Sequence, residues 1–124
     1  MEDFWEILEH DEIWGETQGD PRVCVAVLDG YVDRTHKSLR HAALTDVNSA
    51  KPSVGVASRH GTHIASIIFG QHDGSVLGIA PRCRGLLIPI FKDDGIGGLL
   101  ACSQEELGHA INAAVQAGAH VISA

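Results

Sequence analysis

Two apolar runs of strand length, each followed by a helix-like stretch, constrain this chain more than any other feature. Residues 22–28 are apolar and rich in β-branched side chains, and Gly85–Phe91 repeat the pattern. Between them, Gly61–Gly70 read as a helix, apolar on most of its faces and therefore buried. After the second run, Ser103 can cap a helix over residues 103–116. Glu106 stands at the capping-box position, and Gly118 ends the helix. Ala119–Ala124 begin a third strand. Strand, helix, strand, helix, strand implies a parallel sheet joined by right-handed crossovers. The expected fold class is α/β, a parallel sheet with helices on both faces, expected here in truncated form.

The rest of the chain is less regular. Phe4, Trp5, Ile7, Leu8, Ile13 and Trp14 recur at near-helical spacing and predict an amphipathic arm over residues 1–20. A domain over 21–124 follows, and the arm is read as packing on it. Residues 30–59 are polar and read mostly as loop, with one helical turn. Pro89 warns of an edge or irregular position in the second strand. Residues 93–98 form a glycine-rich loop.

Composition narrows the function. Net charge is −7 and the nine basic residues are scattered, which argues against nucleic acid as a partner. Three cysteines without a CxxC pair argue against a disulfide framework or a zinc knuckle, and Cys24 reads as a small core hydrophobe. The acidic N-terminus lacks a signal-peptide core, and no run has the length of a membrane span. The expected location is cytoplasmic, with no membrane partner.

Asp29 closes the first strand, where open α/β sheets place functional groups. It reads equally as a cap for the turn at Gly30. Asp33, in the following loop, is a weaker competitor. His60 stands at the mouth of the apolar helix, and Gly61 after it permits a close backbone approach. Asp29 and His60 together make the acid-and-base half of a hydrolytic triad in the order Asp, then His. His60 and His63 lack the i, i+4 spacing of a zinc helix and no Glu follows His60, so no metal is expected; His63 reads as a buried structural residue. The loop Gly95-Ile96-Gly97-Gly98 is neither a phosphate loop nor a dinucleotide fingerprint, and no cofactor is expected.

Taken together, these motifs resemble the N-terminal part of a subtilisin-like serine protease, a subtilase. Val25–Asp29 match the strand that delivers the family's aspartate. His60-Gly61-Thr62-His63-Ile64-Ala65 match its histidine motif, and Gly78-Ile79-Ala80-Pro81 match the turn before the next strand. Asp94-Gly95-Ile96-Gly97 resemble the loop whose backbone pairs with an extended substrate. Within the family, Gly19–Gly30 and Ala65–His72 look like the subtilase domains of cyanobactin maturation proteases. Those enzymes cut ribosomally made precursor peptides in the cytosol, and some close the product into a ring. Gly30 stands where the general pattern has Ser or Thr, Ser66 where it has Gly, and Lys37 where many members have Pro.

The resemblance implies a serine endopeptidase with Asp29 and His60 as catalytic residues and Gly95, Ile96 and Gly97 binding a peptide or protein substrate. The family's Gly-Thr-Ser nucleophile motif and oxyanion asparagine are not among these 124 residues, and none of the serines present has that context. The expectation is a fragment that is inactive alone and calls for a complementing C-terminal segment. The alternative is a non-catalytic α/β module that binds peptide without cleaving it.

Overall fold

Cys24–Asp29 form strand β1, and all six residues are buried. Alternation sends Val25 and Val27 to one face of the sheet and Cys24, Ala26 and Leu28 to the other. A strand covered on both faces has no use for polar positions until its end, where Asp29 stands. The computed structural model describes residues 10–47 and 52–124. The first part of the expected N-terminal arm therefore lies outside the described residues.

Helix α1 spans His10–Glu16, and the other elements follow β1 in chain order. They are β2 (Leu44–Asp46), helix α2 (Val56–Phe69), β3 (Arg84–Pro89), β4 (Phe91–Asp93), β5 (Leu99–Ala101), helix α3 (Gln104–Gln116) and β6 (Val121–Ser123). Strands β2, β3, β1 and β6 make a four-stranded sheet in that order, every pair parallel. β4 and β5 make a separate antiparallel hairpin.

The sheet has a helix on each face, as its apolar alternation demands. Ala65 and Phe69 of α2 pack with Val25, Val27, Leu39 and Leu87. Ala110 and Ala114 of α3 pack with Cys24, Ala26, Leu28, Leu86 and Ile88. Cys24 is fully buried, in keeping with its reading as a core hydrophobe. Burying each larger side chain contributes about 1.5–3 kcal/mol, so the two clusters dominate the stability of the sheet.

Several expectations change in the structure. Helix α2 begins at Val56, five residues before its apolar run, so His60 sits inside the first turns rather than ahead of them. The helix is not buried all round. Its buried residues are Ala57, Ser58, Gly61, Ala65, Ser66 and Phe69, and His63 is exposed rather than buried. At 100° per residue, His63 turns away from the line through Gly61, Ala65 and Phe69. The polar stretch between β1 and α2 contains β2, a three-residue strand too short to announce itself. The second apolar run also splits. β3 ends at Pro89, which has no N–H to continue a ladder, and the chain turns into the β4–β5 hairpin.

Helix α3 follows its sequence signals. The Ser103 hydroxyl accepts from the Glu106 amide at 3.1 Å, and Gly118 takes φ 93° beyond the last turn. At the other end, Trp14 of α1 donates its indole N–H to the Ile79 carbonyl at 3.0 Å and meets the His72 ring edge-on at 4.4 Å between centroids. Arg82 donates its amide to the Gln18 carbonyl at 3.0 Å, so the segment after α1 lies on the turn before β3.

Candidate active site

Asp29 follows Val25 and Val27 by the period of two and shares their face, the one that α2 covers. His60 comes three residues after Ala57 and four before Ile64, on the flank of the helix face that meets the sheet. Strand parity and helix phase thus converge on one point. The His60 Nδ1 lies 2.8 Å from the Asp29 Oδ1.

The two partners differ in exposure. Asp29 keeps 9% of its side-chain surface and His60 keeps 58%. The acid is sunk in the sheet edge while the imidazole stands open. Asp29 Oδ1 also accepts from the Gly30 amide at 2.7 Å, so its carboxylate is held from two sides. The same oxygen thus meets both the turn at Gly30 and the His60 ring. Nδ1 engaged with a carboxylate leaves Nε2 as the ring atom able to take a proton. Among the described residues, no group hydrogen-bonds to Nε2.

The pair meets because two backbones touch. A methyl group on Gly61 would stand 2.5 Å from the Gly30 carbonyl oxygen and 2.8 Å from that of Tyr31. A methyl group on Gly30 would overlap the Ala57 carbonyl. Only glycine at both positions lets α2 sit this close to the end of β1. The glycine that departs from the general family pattern is thus one half of the contact.

Gly95, Ile96 and Gly97 lie at the tip of the β4–β5 hairpin, with φ of 81° and 91° at the two glycines and Ile96 89% exposed. Asp94 Oδ1 accepts from the amides of Ile96 at 2.8 Å and Gly98 at 2.9 Å, fixing the bend. Among the described residues, no hydrogen bond joins the tip to the Asp29–His60 pair. The hairpin's base is joined to it, because Ile90 donates its amide to the Asp29 carbonyl at 2.7 Å.

Asp33 is not part of this arrangement. It is exposed and accepts from the Thr35 hydroxyl at 2.6 Å and the Thr35 amide at 2.9 Å. The Thr35 hydroxyl holds its carboxyl below the usual range. A cleft of about 380 Å³ against α2 is lined by His36, Ser58, Arg59, Thr62 and His63 among others. Neither Asp29 nor His60 lines it, so the cleft is not where the acid and base meet. Among the described residues no group of three His, Cys, Asp or Glu side chains could hold a metal.

One residue escaped the sequence reading. Asp93, at the end of β4, accepts from the Ala57 amide at 2.7 Å through Oδ1. Its Oδ2 accepts from the Ser58 hydroxyl at 2.6 Å and the Ser53 hydroxyl at 2.9 Å. The Ser58 hydroxyl, above all, holds this carboxyl below its usual range, with Ser53 and the Ala57 amide adding to it against the effect of burial. Its only sequence signal was an acid preceding a glycine loop.

A parallel sheet with helices on both faces, and a buried acid joined to an open histidine at its edge, define the class. The chain belongs to the subtilase family of S8 peptidases, whose pattern it matches over residues 20–124. It is similar in structure to the prenylagaramide maturation protease PagA, with TM-score 0.78 and 50% identity, covering 91% of this chain and 37% of that one. The self-cleaved protease domain of PatA matches with TM-score 0.69 and 50% identity, over 85% of this chain and 37% of that one. Fervidolysin of Fervidobacterium pennivorans is 32% identical over 95 residues, 70% of this chain and 13% of that protein. The chain thus spans well under half the length of each. No described helix is long and apolar enough to cross a membrane.

Proposed function

We propose that these residues carry the acid and base of a serine endopeptidase that processes ribosomally made precursor peptides in the cytoplasm. The observation that carries this reading is the 2.8 Å contact between His60 Nδ1 and buried Asp29, which leaves the open edge of the ring for chemistry. The similarity to two maturation proteases at 50% identity supports the substrate class.

In the proposed mechanism, His60 Nε2 takes the proton of a serine hydroxyl as that oxygen attacks the peptide carbonyl. It then delivers the proton to the leaving amine. Asp29 holds Nδ1 protonated and stabilises the imidazolium formed between the two transfers. Gly95, Ile96 and Gly97 offer backbone groups on an exposed hairpin tip, where an extended peptide can add as a strand. The mechanism also calls for a serine nucleophile and a side-chain oxyanion donor, and without them the acid and base activate nothing but water.

The test joins residues 1–124 to the nucleophile-bearing remainder of a related subtilase domain. The chimera is expected to cleave peptides and to label with a fluorophosphonate, whereas the 124 residues alone do neither. His60→Ala should lower kcat by about 10⁶ and Asp29→Asn by about 10⁴, the magnitudes known for serine protease triads. A folded chimera without turnover, or turnover that survives His60→Ala, overturns the assignment.

A further inference from the structure

Helix α2 needs a partner for its first amides, and its own sequence supplies none. The N-cap is Gly55, no side chain of the first turn caps it, and the turn holds no acid. A helix start left this way presents unpaired N–H groups and an uncompensated dipole. Asp93 meets both needs from 36 residues away. Its Oδ1 takes the Ala57 amide, two positions into the helix, where a local capping side chain would bond. Its other oxygen takes the hydroxyls of Ser53 and Ser58, which flank the helix start.

Ala57 has a second neighbour. Its carbonyl lies against Gly30, whose amide donates to the Asp29 carboxylate, which in turn holds His60. Asp93 itself belongs to the hairpin whose tip carries Gly95–Gly97, and the next residue, Asp94, shapes that tip. The hairpin's base is also tied to Asp29, through the Ile90 amide.

We propose that Asp93 is a positioning residue for His60, locking the first turn of α2 to the peptide-pairing hairpin so that the imidazole stays aligned on Asp29. This rests on the proposed pairing of Asp29 and His60 as acid and base. It goes further by assigning that alignment to a carboxylate outside the pair. The tie runs both ways, so a peptide adding to the hairpin acts on the helix that carries the base.

The alignment can be read without turnover, from the tautomer of the His60 ring in the 124-residue chain. Side-chain ¹⁵N spectra of histidine-labelled protein report it, with His60→Gln used for assignment. The wild-type ring is expected in the Nδ1–H form that Asp29 favours. Asp93→Ala should move the tautomer ratio about tenfold toward Nε2–H, as expected for loss of a charge-assisted bond. Asp93→Asn, which keeps an acceptor for the Ala57 amide, should restore most of the wild-type ratio. Ser58→Ala should shift the ratio in the same direction by a smaller factor, and it serves if Asp93→Ala does not fold. A folded Asp93→Ala or Ser58→Ala chain with the wild-type ratio overturns the proposal. Wild-type protein with Nε2–H dominant overturns instead the pairing of Asp29 with His60, so the two failures are distinguishable.

Discussion

At the scale of single residues, the site depends on what is missing from two α-carbons. Gly61 and Gly30 bring the backbones of α2 and β1 together, and any side chain there meets carbonyl groups rather than movable atoms. Gly61→Ala should therefore destabilise the fold by about 1–3 kcal/mol or more, as overpacking does. It should also separate His60 from Asp29. Gly108, in the middle of α3, faces open space: a methyl group on its α-carbon would meet nothing within 4 Å. Gly108→Ala should therefore stabilise by about 0.5–1 kcal/mol. Urea unfolding of both variants checks the contrast, and similar effects from the two would deny the close approach. Asp29 and His60 were legible in the sequence because each sits beside a strong local pattern, a strand end and a helical run. The distance between them was not, since it depends on Gly30 and Gly61 lying against each other.

At the scale of elements, local signals served both ends of α3 and missed only the start of α2. Ser103, Glu106 and Gly118 are neighbours in sequence of the helix they bound, so the limits of α3 could be read directly. The start of α2 could not, because its cap arrives from β4. β2 and β5, of three residues each, escaped for a related reason: such short strands exist only through their partners. The remote cap predicts a pH dependence. The Asp93 carboxyl is held below its ordinary value in the fold, so the unfolded chain binds the proton more readily. Its contribution is in full above the ordinary carboxylate value of 3.8 and is lost as pH falls through the lower folded value. The Asp20 carboxyl, brought down to about 2 by the Arg22 guanidinium, changes in the same direction. That pair is exposed and adds little. Asp93→Asn should flatten the loss of thermal stability between neutral pH and about pH 3, measured against wild type by Tm. An unchanged slope would mean that the carboxylate contributes nothing through its charge.

At the scale of the whole molecule, the sheet divides the core in two. Leu39 belongs to the cluster under α2 and Ile88 to the cluster under α3, and both are almost fully buried. Leu39→Ala should cost about 2–5 kcal/mol and Ile88→Val about 0.5–1.5 kcal/mol. With no shared packing partners, the double variant should lose their sum to within about 0.5 kcal/mol. A larger coupling in a denaturant double-mutant cycle would show that the two faces form a single packed unit.

The strand and helix periods by themselves determined the α/β class, the parallel sheet and the two-faced core, because these follow from spacings of two and about 3.6 residues along the chain. Only the tertiary structure decided where α2 begins, that His63 faces outward, and that an acid from the β4–β5 hairpin caps the helix bearing His60. Those outcomes turn on groups 27 to 36 residues apart, from Gly30 and Ala57 to Ala57 and Asp93, meeting at hydrogen-bond or van der Waals distance. Such a meeting leaves no periodic trace in either segment, because each partner satisfies a need that arises in the other.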